Sequence, residues 1–85
     1  MIVGKAILFA RETVTFPTDG PWQATLGDPP GLWEIPRFAD LPHAGERIEA
    51  GRPILTFFAA AESHPHCRAA LRETARDLDR TLYAR

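Results

Sequence analysis

The spacing of apolar residues changes character along the chain, and each change marks an element. From Ile2 to Ala10 nearly every position is apolar, β-branched or aromatic, which predicts a strand buried on both faces. Glu12-Thr13-Val14-Thr15-Phe16 alternates polar and apolar with period two, the mark of a half-buried strand. Near the end, Cys67, Leu71, Ala75, Leu78 and Leu82 recur every three or four residues and form one stripe of an amphipathic helix. Ser63 is placed to accept the free amides of its first turn, and Pro65 is tolerated inside that turn, so the helix is predicted over about 65–83.

Between these elements, segment 17–42 holds six of the eight prolines together with Gly20, Gly27 and Gly31, which excludes a helix and predicts an extended loop. Trp22, Leu32, Trp33, Ile35 and Phe38 are its apolar anchors. The stretch from Pro42 to Ala59 then carries Gly45 and Gly51 with Ile48 midway, followed by an apolar run. That order reads as turn, short strand, turn and longer strand, with glycine suited to both turns. No internal repeat of useful length or flexible linker is apparent in this reading.

The expectation is therefore a single α+β domain over residues 1–85, a small, mostly antiparallel β-barrel or curled sheet of four to six short strands with one C-terminal helix packed on it. Strands lie within 2–16 and 46–60, and the Pro-rich loop over 17–42. Val3, Ile7, Phe9, Val14, Ile48, Ile54, Leu55, Phe57, Leu71, Leu78 and Leu82 are the expected core. A core strand that starts at Ile2 carries the expectation that the chain docks onto, or was cut from, something larger.

Composition narrows the classes of function. Eighty-five residues bury only roughly 60–65% of their unfolded surface, so the core must be economical. A formal net charge of -1 gives no field to attract nucleic acid or an anionic membrane. No apolar run reaches membrane-spanning length, no secretory pattern opens the chain, and a single cysteine forms no internal disulfide; a cytoplasmic location is expected.

Candidate chemistry is sparse. His64, His66 and Cys67 lie within four residues, with His43 available from a loop, and are the weak candidates for a metal site; structural zinc normally draws on two separated ligand pairs. A nucleophilic Cys67 would gain from the helix start and a neighbouring histidine, but its place on the core stripe opposes that role. Arg68, Arg72, Arg76 and Arg80 form a line that Glu73, Asp77 and Asp79 largely neutralise, as on a solvated face. Neither a glycine-rich phosphate cradle nor HExxH, GxSxG or CxxC is present, so no catalytic residues are assigned. Trp22, Trp33 and Phe38 mark a partner-docking surface if exposed.

Gly45-Glu46-Arg47-Ile48-Glu49-Ala50-Gly51-Arg52-Pro53-Ile54 resembles the G-x-x-I/V-x-x-G-x-P-I/V half-motif of barrel-sandwich domains, including those of biotin carboxylase type. With Gly4-Lys5-Ala6-Ile7, Phe16-Pro17 and Asp40-Leu41-Pro42, nearly the whole chain resembles the C-terminal domain of bacterial ATP-grasp family proteins. The resemblance implies a non-catalytic accessory domain packing beside an ATP-grasp catalytic module, in the same parent chain or as a separate subunit. The parent would be an ATP-dependent carboxylate ligase using ATP and magnesium, and this chain would hold no cofactor. A biotin-carrier role fails because the one lysine, Lys5, lies inside the first strand rather than at a hairpin tip. The alternatives are a stand-alone protein-interaction module or homodimer using edge strands or the aromatic loop, and a small metal-binding protein.

Overall fold

The computed structural model describes residues 1–23 and 36–83. These form strands β1 (Ile2–Phe9), β2 (Val14–Thr15), β3 (Phe38–Ala39), β4 (Arg47–Ile48) and β5 (Pro53–Ala61), then helix α1 (His64–Tyr83). β1, β5 and β3 make a three-stranded sheet in that spatial order, and β2 pairs with β4; every pairing is antiparallel. The α+β class is as predicted, and of the two sheet forms anticipated it is the curled one, not a closed barrel.

The two sheets belong to one bent ribbon. β1 runs against β5 from Ile2 opposite Ala61 to Leu8 opposite Leu55, slips by one residue so that Phe9 faces Pro53, and then keeps that register to Val14 opposite Ile48. Gly51 N donates to Ala10 O while Ala10 N donates to Arg52 O, so two residues oppose one across the ribbon. The same pattern recurs six residues away, where Gly45 N donates to Phe16 O and Phe16 N to Glu46 O. Gly45 and Gly51 have φ of 86° and 87°, the left-handed conformation of a glycine bulge, and each sits in a turn closed by Glu46 N to His43 O or Arg52 N to Glu49 O.

This exposes a repeat that the sequence reading passed over: His43-Ala44-Gly45-Glu46-Arg47-Ile48 and Glu49-Ala50-Gly51-Arg52-Pro53-Ile54 share x-A-G-x-x-I. Each copy supplies a turn, a bulge and a buried isoleucine. Bulges increase local twist, which is why the ribbon curls around its core.

β3 lies within the segment expected to be loop. Two residues carry no readable period, and its partners Phe57 and Thr56 are far along the chain. The chain leaves β3 through Asp40, a non-glycine residue at φ 56°, whose Oδ2 accepts a 2.9 Å hydrogen bond from Thr56 Oγ1. That bond satisfies the buried threonine and holds the turn. The half-buried strand expected over Glu12–Phe16 contracts to Val14–Thr15.

α1 starts as read. Ser63 Oγ accepts from His66 N at 3.3 Å and Ser63 O from Cys67 N at 2.9 Å. The helix doubles back along β5 and places Cys67, Thr74 and Leu78 against the sheet, with Leu71, Ala75 and Leu82 packed beside them. Its approach is close at Gly4, where a Cβ would lie 2.8 Å from Cys67 Sγ and 2.9 Å from Leu71 Cδ1. Ala6 and Ala59 lie on that sheet face too, which is lined by small side chains at this end and by Leu8, Leu55 and Phe57 at the other.

The core expectation is corrected at β1. Ile2, Gly4, Ala6 and Leu8 turn inward, while Val3 and Ile7 are each 48% exposed and Phe9 55%. Burying both faces of a strand needs a layer on each side, and α1 supplies one. Val14, Ile48, Ile54, Leu55, Phe57 and Leu78 are buried as expected, joined by Ala10, Phe16, Trp22 and Phe38. Gly4→Val should therefore destabilise the chain by about 1–3 kcal/mol through overpacking. Ile7→Thr, a larger chemical change, should cost under about 0.5 kcal/mol. Urea unfolding of both on a dilute, monomeric sample checks the assignment, and the reverse order would contradict it.

Candidate functional site

The residues first considered for chemistry are not brought together. His66 Nδ1 lies 2.8 Å from Ser63 Oγ, a contact that closes the first turn of α1. Cys67 is buried, and its Sγ is directed to Ala59 O at 3.5 Å, away from that pair. His43 belongs to the turn ahead of β4. Among the described residues no group of three or more His, Cys, Asp or Glu is arranged to hold a metal ion.

The arginine line of α1 is exposed, and its acids are shared out: Arg80 pairs with Asp77, and Asp79 is taken by Arg11 from beyond β1. Arg11 Nε meets Asp79 Oδ1 at 2.9 Å, its guanidinium lies 4.0 Å from the Tyr83 ring centre, and its backbone N donates to Tyr83 Oη at 3.2 Å. The hydrogen bond to Asp79 is the main cause of a raised Arg11 pKa. Exposed as the pair is, it contributes little by charge alone; it ties the end of α1 to the bend after β1.

The aromatics named for docking are corrected likewise. Trp22 is 1% and Phe38 2% exposed; Trp22 stacks at a tilt on Phe16 with ring centres 4.5 Å apart, and Phe38 faces Phe57 across β3 and β5. Both are core residues. Trp33 lies outside the described residues. Large aromatics are the cheapest way for so short a chain to fill a core.

Beyond the end of β3, a cleft of about 530 Å³ opens between β5 and α1, with Arg37 on one side and Glu73 and Asp77 on the other. Its floor is Ala59, Ala60 and Ala70. Thr74 also lines it, and among the described residues no cysteine or histidine does.

The surface that stands out is β1 itself. It is eight residues long and pairs only through one edge, with β5; among the described residues no strand covers the other. Ala10 turns its N–H and C=O toward the β5 side. Alternation along the strand then assigns the same direction to Leu8, Ala6 and Gly4, and directs the backbone groups of Val3, Lys5, Ile7 and Phe9 to the open edge. Those four residues also carry the outward side chains, so an unpaired backbone and an exposed apolar row coincide. Outward Phe58 and Ala60 of β5 stand opposite Lys5 and Val3 and widen the row. Soluble proteins commonly blunt such edges by shortness, charge or bulges; here Lys5 is the one charge within the strand.

The signal for this site was present as an alternation of large and small side chains from Val3 to Ile7, with Gly4 and Ala6 on one face and Val3, Lys5 and Ile7 on the other. Compared with protein-family models, curated proteins and solved structures, the chain matches none of them. Among the described residues no helix is long and apolar enough to cross a membrane.

With Cys67 held in the core, a maleimide should label it in the native chain on the order of a hundredfold or more slowly than in urea, because labelling requires local opening. Labelling at the unfolded rate would return the thiol to the surface and reopen a nucleophilic role.

Proposed function

We propose that the chain is a non-catalytic docking domain whose binding site is the open edge of β1, and that it engages a partner protein by accepting an extended strand there. One observation supports this reading: the edge of the eight-residue β1, unpaired among the described residues, coincides with the half-exposed Val3, Ile7 and Phe9. Main-chain hydrogen bonds supply affinity in strand addition, and alternate side chains supply selectivity. A partner strand with apolar residues at every second position fits the row, and an acidic residue on it would meet Lys5.

The ATP-grasp resemblance adds a separate proposed association, in which this domain packs beside the catalytic module of a carboxylate ligase. ATP and magnesium would then act in that module.

Amide hydrogen exchange on a dilute, monomeric sample tests the site. The amides of Gly4, Ala6 and Leu8 should be protected by pairing with β5, while those of Val3, Lys5, Ile7 and Phe9 exchange close to the rate of an unstructured chain. Protection of all seven in the monomer would mean that the chain covers its own edge, and the docking reading would fall.

A further inference from the structure

We infer that the strand docked on β1 is β1 of a second copy, paired antiparallel about a two-fold axis at Ala6. This names the partner of the docking edge and rests on that reading. Antiparallel pairing of one strand with its own copy makes an isologous, closed interface, and the composition of β1 selects one register for it.

The open backbone groups belong to the odd-numbered residues, so odd must face odd across the new ladder. A two-fold at Lys5 would set two ammonium groups directly opposite each other, a destabilising arrangement. A two-fold at Ile7 would drive Val3 onto Arg11 of the other copy, whose backbone N–H is already taken by Tyr83 and whose guanidinium is held by Asp79. A two-fold at Gly4 would carry Phe9 past Met1 of the other copy and leave it unpaired.

The two-fold at Ala6 pairs all four outward residues. Val3 faces Phe9 and Lys5 faces Ile7, each twice by symmetry. An aromatic residue opposite a β-branched one is a favourable cross-strand pair, and the lysine stem lies along isoleucine while its ammonium reaches water. The three-stranded sheets join into one six-stranded sheet, in which β1 is no longer an edge.

Cysteine crosslinking reads this register, using Val3→Cys, Phe9→Cys, Lys5→Cys and Ile7→Cys, each a substitution at an exposed position of the full chain. Directly opposed residues in a hydrogen-bonded antiparallel pair have Cα atoms about 5.5 Å apart, within disulfide reach. Mixing the Val3→Cys and Phe9→Cys chains under mild oxidation should give a covalent dimer containing one of each, whereas Lys5→Cys and Ile7→Cys alone should remain uncrosslinked. Sedimentation of the unsubstituted chain should show a dimer that Lys5→Pro weakens tenfold or more, because proline removes a backbone donor only from the free edge; circular dichroism confirms that this variant folds.

Crosslinking of Lys5→Cys or Ile7→Cys with itself would overturn the register. A dimer indifferent to Lys5→Pro would overturn edge pairing in favour of another face. A chain that stays monomeric up to about 1 mM, too weak for a specific dimer, would overturn the second copy as partner; with Val3, Lys5, Ile7 and Phe9 amides still exchanging freely, it would leave the docking edge standing for a different protein.

Discussion

Among the described residues one helix serves a sheet that has two faces, and the rest of the structure follows from that shortage. α1 lies close to β1 and β5 because Gly4 has no side chain where Cys67 and Leu71 pass, and because Ala6 and Ala59 leave the neighbouring surface low. The close approach seals the inner face of the sheet. It also fixes which β1 residues are inside, since a strand that turns Gly4 inward must turn Val3 and Lys5 outward.

At the other end of the molecule the curled ribbon compensates for the second layer that the described residues do not supply. Two glycine bulges, six residues apart, set Ala10 and Phe16 at matched positions on the opposing strand, and both are buried. Ile48 and Ile54 arrive from the same two copies of the repeat, and Trp22 and Phe38 close the space between them. Aromatic mass and backbone curvature thus build the core there. The bond from Thr56 to Asp40 secures the side of β5 turned away from α1.

Features set by local chemistry were legible in the sequence. The stripe on α1, its Ser63 cap and the two turn glycines could be read because period, capping and positive φ are written within a few residues. Features set by distant partners were not. β3 owes its existence to Phe57 and Thr56. The exposure of Val3, Ile7 and Phe9 depends on how many layers the whole chain can provide, and a continuous apolar run is the same whether its second face is covered or bare. Trp22 and Phe38 drew attention as docking aromatics because large apolar side chains mark cores and interfaces alike. Edge strands entered the sequence reading only as an alternative binding surface, and β1 was not named for it.

The account turns on the outward face of β1 lying open in the monomer. A soluble gadolinium complex that bleaches solvent-facing nuclei measures this residue by residue on a dilute sample with labelled methyl groups. The account predicts strong bleaching of the Val3 and Ile7 methyls and little of Leu55 and Leu78, which are 1% and 0% exposed. Val3 and Ile7 shielded to the same degree as Leu55 would contradict it.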